Sequence, residues 1–230
     1  MLRIDTARKG FIGKNLFLSK KAHSKAAIES TLIHGEKHIS SFNLPEIILG
    51  GQDGLVNVLG IILGIAAATS DARIVIVAGL AATFAESISM AAVAYTSKLA
   101  EADFYQSEYE REEWEIKNVP SGEKEEIRAL YKKNGFEGEM LEKIVEQITS
   151  DKKLWLKVMM EQELKLAPVD RSKVLPLSLL VGFSAVVGSI IPLTPFFLLP
   201  IKPAIWISLF ISAVSLFIVG YIKAQKTLGR

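Results

Sequence analysis

Two carboxylates stand alone inside long apolar stretches of this 230-residue chain. Asp53 is the one charged residue of residues 47–70, and Glu86 is the one charged residue of residues 74–97. A carboxylate at the centre of a membrane span costs on the order of 2.5–3.5 kcal/mol on insertion scales, so each should face protein or water. On a helix, Asn57 lies one turn beyond Asp53 on the same face, and Glu86 and Met90 stack at i, i+4. A carboxylate beside a thioether suits a borderline transition ion, whereas Mg2+ or Ca2+ gains little from sulfur. The plainer alternatives are a structural Asp bonded to a neighbouring backbone and a Met that only packs. Gly60 and Gly64 follow at the spacing that lets a second helix approach closely.

A second group of carboxylates has a different setting. Glu112 and Glu115, and again Glu123 and Glu126, pair at i, i+3, with Glu108 one turn before Glu112. Like charges at that spacing repel by a few tenths of a kcal/mol unless cations bridge them. For any single pair a solvated charge face is the simpler reading. Met159, Met160 and Glu163 again set thioethers beside a carboxylate, and the chain has no cysteine. Carboxylates converging with Met and without thiolate suggest ferrous-type ions.

The elements that must hold these residues follow from charge patterning. No charge falls between Lys173 and Lys202, nor between Lys202 and Lys223. Roughly 20 apolar residues cross a hydrocarbon core. With the two runs that carry Asp53 and Glu86, this predicts four transmembrane helices in an all-α polytopic membrane protein. Residues 101–163 differ sharply, with 17 acidic and 10 basic residues in a chain whose net charge is +2. The predicted organisation is a basic amphipathic arm over 1–43, helices 1 and 2 over 44–98, an acidic helical domain over 99–168, and helices 3 and 4 with a tail over 169–230.

Pro45 suits the first turn of helix 1. Helix 2 has no breaker until Val119-Pro-Ser-Gly122, so it should run on to Ile116. Ser121 is the expected cap of a helix over 122–134 that Gly135 ends. A third helical stretch over 137–167 is expected to break near Ser150–Asp151. Pro176 is expected to open helix 3, and Pro192, Pro195, Pro200 and Pro203 to form an irregular hairpin into helix 4. The basic N-terminal arm and tail place both termini and the acidic domain in the cytoplasm by the positive-inside rule.

Other chemistries find little support. His34 and His38 lack metalloprotease spacing, and a surface role suits them. Neither a phosphate-cradling glycine loop nor a nucleophile elbow is present, so no enzyme is expected. The basic residues belong with a lipid surface, so no nucleic-acid partner is expected either.

Gly-Gly-Gln-Asp-Gly-Leu at 50–55, Ile-Ser-Met-Ala at 88–91, Ser-Lys-Leu-Ala-Glu-Ala-Asp-Phe-Tyr at 97–105 and Trp-Leu-Lys-Val-Met-Met-Glu-Gln-Glu-Leu at 155–164 resemble the vacuolar iron transporter family, as does His34-x-Glu-Lys-His38. The likeness spans residues 34–222 with motif order kept. It implies a homodimeric Fe2+/H+ antiporter with a cytoplasmic helical metal-binding domain between spans 2 and 3. It also implies membrane-path roles for Asp53 and Met90, an acidic position at the mouth of the first span for Glu46, and metal ligands at Glu112, Glu115, Glu123, Glu126, Met159, Met160 and Glu163. Two departures stand out. Plant members carry a second-span Glu where this chain has Ala82, and Glu86 would replace it from the same face. Members usually have five spans, and four are visible here.

The expected function is export of Fe2+, or Mn2+, from the cytoplasm by proton antiport. Bilayer, divalent ions and protons are the partners, and no prosthetic group is needed. Coordinating carboxylates must be deprotonated, so an entering ion releases protons. The expected location is a cell membrane in a prokaryote or a vacuole-type membrane in a eukaryote. The alternative is a membrane-anchored divalent-metal buffer or sensor whose spans only scaffold the acidic domain.

Overall fold

The computed structural model describes residues 44–228, and every described element is helical. The basic arm, with His34 and His38, lies outside the described residues. The helices are α1 (Leu44–Ala68), α2 (Ala72–Asn118), α3 (Pro120–Lys133), α4 (Gly138–Thr149), α5 (Lys152–Val158), a π-helical turn (Met159–Glu163), α6 (Arg171–Leu198) and α7 (Ile201–Leu228). Among the described residues, α1, α2, α6 and α7 are long and apolar enough to cross a membrane. The chain divides into two compact units, one of residues 44–92 with 177–228 and the other Val93–Pro176.

The first unit exposes many large apolar side chains. Trp206 and Phe217 are each 74% exposed, and Phe84, Phe183 and Phe210 more than 60%. This pattern suits lipid rather than water as the surrounding solvent. Inside, Val58, Ile62, Ala66, Val75, Leu193, Phe196 and Ala204 form one apolar core.

Glycine makes the helix contacts close. A Cβ on Gly54 would stand 2.3 Å from the Ala185 carbonyl oxygen, and one on Gly188 would stand 2.0 Å from that of Gly51. Gly50 meets Val181 in the same way, and Gly182 meets Ser87 and Ala91. Gly60 and Gly64, expected to be the close-approach pair, have nothing among the described residues within 4 Å of such an atom. Within this chain the close approach lies about three turns nearer the start of α1, where small residues of α6 face it.

The prolines behave differently from the expected hairpin. Helix α6 begins at Arg171, where Asp170 accepts from the Ser172 backbone N–H at 3.1 Å, so Pro176 lies inside it rather than opening it. Pro192 and Pro195 are also within α6, and only Leu199 and Pro200 separate it from α7. Interior proline is tolerated in membrane helices when other groups serve the backbone it disrupts. The carbonyls that lose a helical donor are those of Gly188 and Ile191, while Ser208 of α7 donates to the Pro192 carbonyl at 2.7 Å and Thr194 to that of Ile190 at 2.8 Å.

The second unit has its own core of Ile116, Ile127, Leu141, Val145, Ile148, Trp155, Leu156 and both methionines of the π turn. Pro120 begins α3 without any side-chain cap, so Ser121 does not cap it. Helix α4 ends at Thr149, and Asp151 caps α5 by accepting from the N–H groups of Lys153 and Leu154. Arg128 of α3 forks onto Glu142 of α4 at 2.8 and 2.9 Å, tying the two together.

Candidate metal sites

In the first unit, Glu46, Asp53 and Asn57 follow one another on a single face of α1, at intervals of two turns and one. Gly54, the neighbour of Asp53, is buried against α6, which fixes the rotation of α1. Glu86 of α2 then lies within hydrogen-bonding reach of both Asp53 and Asn57. Asp53 and Glu86 are half-buried, while Asn57 is exposed within this single chain. Met90, also half-buried, stands one turn beyond Glu86. Two carboxyls from different helices and an amide therefore converge in the apolar part of the fold. Ala82, one turn earlier on α2, contributes no polar atom.

The second unit builds a denser acidic site. One ligand oxygen from each of Glu112, Glu115 and Glu123 lies within 4.8 Å of the other two. Oxygen ligands sit about 2.0–2.6 Å from a divalent cation, so opposed ligands stand about 4–5 Å apart. The spacing is right for a shared ion. Glu112 is 2% exposed and Glu123 5%. One oxygen on each, and one on Glu163, is buried with no hydrogen-bond partner among the described residues. Buried charge without a partner is costly, so these atoms are poised for a cation.

Local structure explains why the carboxylates meet. Glu112 and Glu115 come from the last turns of α2, and Glu123 and Glu126 from the first turns of α3, beyond the break at Val119-Pro120. Ile116 and Ile127, neighbours in sequence to these acids, anchor both segments in the core. The third contributor is the π turn. Its wide backbone bond runs from the Leu164 N–H to the Met159 carbonyl at 3.0 Å. Turns of this kind are frequent at functional sites because they re-aim side chains. Met159 and Met160 are both essentially fully buried in the apolar core of this unit, and Glu163 lies within hydrogen-bonding reach of the Glu126 carboxyl. Glu126 itself is exposed, and Glu108 is only partly buried.

Titration follows from this crowding. Burial pushes the Glu123 carboxyl up to about 7, helped by the neighbouring charges of Glu126 and Glu112. Burial likewise pushes Glu163 up to about 7, with Glu126 and Glu112 adding to it. Glu112 is raised by burial too, against the opposing pull of Arg111. That arginine is the residue sequence reasoning missed. Its guanidinium lies 2.7 Å from Glu108, 2.8 Å from Glu112 and 3.1 Å from Glu115. Its place between acids in the sequence was the available signal.

The described chain matches the family model described as VIT family over residues 44–229. It is 36% identical to the vacuolar iron transporter of Plasmodium falciparum (isolate 3D7), over 96% of this chain and 84% of that one. Identity to vacuolar iron transporter 1 of Arabidopsis thaliana is 33%, covering 84% of this chain and 78% of the relative. The protein of the same name from Tulipa gesneriana is 31% identical over 84% and 79%. With a family match across all four membrane helices and the acidic unit, and relatives above 30% identity over most of its length, the chain belongs to the VIT family.

Proposed function

We propose that this chain moves Fe2+ across a membrane in exchange for protons, carrying it out of the cytoplasm. The relatives it matches are named vacuolar iron transporters, which supports iron as the cargo. Manganese shares the same ligand preferences and is a second candidate cargo. On this reading the unit Val93–Pro176 faces the cytoplasm and collects ions on Glu112, Glu115, Glu123, Glu126, Glu163 and the two thioethers. Asp53, Asn57, Glu86 and Met90 take the ion across, with Glu46 at the entrance of α1. A homodimer is the working form.

The observation that carries the reading is the approach of Asp53 to Glu86 across two apolar helices, with Asn57 beside them. A buffer or sensor anchored by its spans has no use for two converging carboxyls there, which raise the cost of insertion. A transporter does. Carboxyls that must lose protons to bind metal and regain them when it leaves couple the two fluxes in opposite directions. The deciding experiment is Fe2+ uptake into proteoliposomes with and without an imposed pH gradient. Gradient-accelerated uptake accompanied by counter-movement of protons supports the proposal. Metal binding without flux selects the buffer.

A further inference from the structure

The acidic cluster already contains a cation of its own. Arg111 uses one guanidinium to reach three glutamates on α2. Nη2 lies 2.7 Å from Glu108 Oε2 and 2.8 Å from Glu112 Oε1, and Nη1 lies 3.1 Å from Glu115 Oε2. Two of those glutamates, Glu112 and Glu115, also belong to the group whose oxygens lie within 4.8 Å of one another. Glu112 shows the competition within a single carboxylate. One oxygen is held by Arg111, while the other is buried and has no partner among the described residues. Arg111 differs from the acids in its freedom: its side chain is 46% exposed, against 3% for Glu112. It can leave for water while Glu112 cannot.

We propose that Arg111 is a resident counter-cation of this site, which competes with divalent metal for Glu108, Glu112 and Glu115 and swings into solvent as metal loads. The proposal rests on the reading of this cluster as the metal collector. The reason is electrostatic. A cluster of acids spaced for metal repels itself when empty, and a flexible guanidinium relieves that repulsion without filling the site permanently. The same positive charge then opposes an arriving ion. A unit charge about 5 Å from a divalent ion in a water-like dielectric shifts its affinity by about tenfold. Arg111 thus sets a threshold: ions are held only when abundant enough to displace it.

The test uses the full chain in detergent, with Mn2+ as probe in competition with a fluorescent chelator. Arg111→Gln is expected to bind Mn2+ about tenfold more tightly. Arg111→Lys keeps the charge and loses the fork, and is expected within about threefold of the unsubstituted chain. The unsubstituted chain supplies a second readout that does not depend on any variant folding. Phenylglyoxal modification of Arg111, followed by peptide mass spectrometry, is expected to rise when Mn2+ is added. If Arg111→Gln binds no more tightly, or if Arg111 labelling stays flat or falls with Mn2+, the counter-cation role is wrong while the metal collector stands. If the unsubstituted chain binds no Mn2+, the collector reading itself falls, and this inference with it.

Discussion

Glu86 of α2 and Asp53 of α1 come within hydrogen-bonding reach of each other, although each is the one charge in its apolar run. Either residue alone would carry an insertion cost there unless it faced protein or water. As a pair the two carboxyls can share a proton when no ion is present, and both offer oxygens to an ion. Glu86→Gln keeps a group able to donate to Asp53 and removes one titrating group. It is expected to preserve the folded chain but to weaken the response of Fe2+ flux to a pH gradient. Flux measured at several imposed gradients in proteoliposomes checks this, and an unchanged dependence would exclude Glu86 from coupling.

The acidic unit should trade stability against binding. Glu123 is buried, has a partnerless oxygen, and its carboxyl is pushed up to about 7. Glu123→Gln is therefore expected to stabilise the metal-free protein by about 1–2 kcal/mol at pH 8, because it removes a charge the fold disfavours. Metal affinity should fall at the same time. Thermal unfolding and metal titration of one sample measure both.

The pH dependence has a definite sign. Glu123 and Glu163 are raised from 4.5 to about 7, so the folded protein holds more protons than the unfolded chain between those values. Their contribution is fully present below about 4.5 and is lost as pH rises to about 7. Metal-free protein should gain melting temperature on acidification from pH 8 toward 5. Metal affinity should change in the opposite sense, falling as pH drops through 7, because protonated carboxyls do not coordinate. Melting curves with and without Mn2+ across this range separate the two effects.

Much of this was legible beforehand because the signals are local. Charge-free runs mark spans, and the Val119-Pro120 break marks where α2 must turn, which brings Glu112 and Glu115 to Glu123. Other features depend on what a residue meets in space. Pro192 and Pro195 look like loop residues, yet both lie within α6, where Ser208 of α7 donates to the Pro192 carbonyl. Gly60 and Gly64 carry the right spacing for a helix contact, yet α6 presents its small residues opposite Gly51 and Gly54 instead. Spacing shows that a close contact is possible, and only the partner helix decides where it falls. The π turn had no pattern to announce it, since Met159-Met160 reads equally well as ordinary helix.

The two sets of glycines make a paired prediction. Gly188→Ala drives a Cβ to 2.0 Å from a backbone oxygen of α1 and should cost about 1–3 kcal/mol. Gly60→Ala meets nothing within 4 Å in this chain, so its melting temperature as an isolated chain should hold. Thermal unfolding in detergent compares them directly.

Met159 permits a test of ligand type. It is fully buried, and leucine conserves its volume, so Met159→Leu should cost less than about 1.5 kcal/mol. Loss of the thioether should weaken Fe2+ or Co2+ more than Mg2+, narrowing the gap between soft and hard ions. Competition titrations with these ions read the gap.

The central claim is that ions cross by way of the Asp53–Glu86 pair. Proton-gradient-driven Fe2+ uptake by Asp53→Asn in proteoliposomes tests it most directly, with Mn2+ binding to the same preparation as the control. The expected result is uptake reduced to background while binding at the acidic unit persists. Full, proton-coupled uptake by Asp53→Asn would contradict the account.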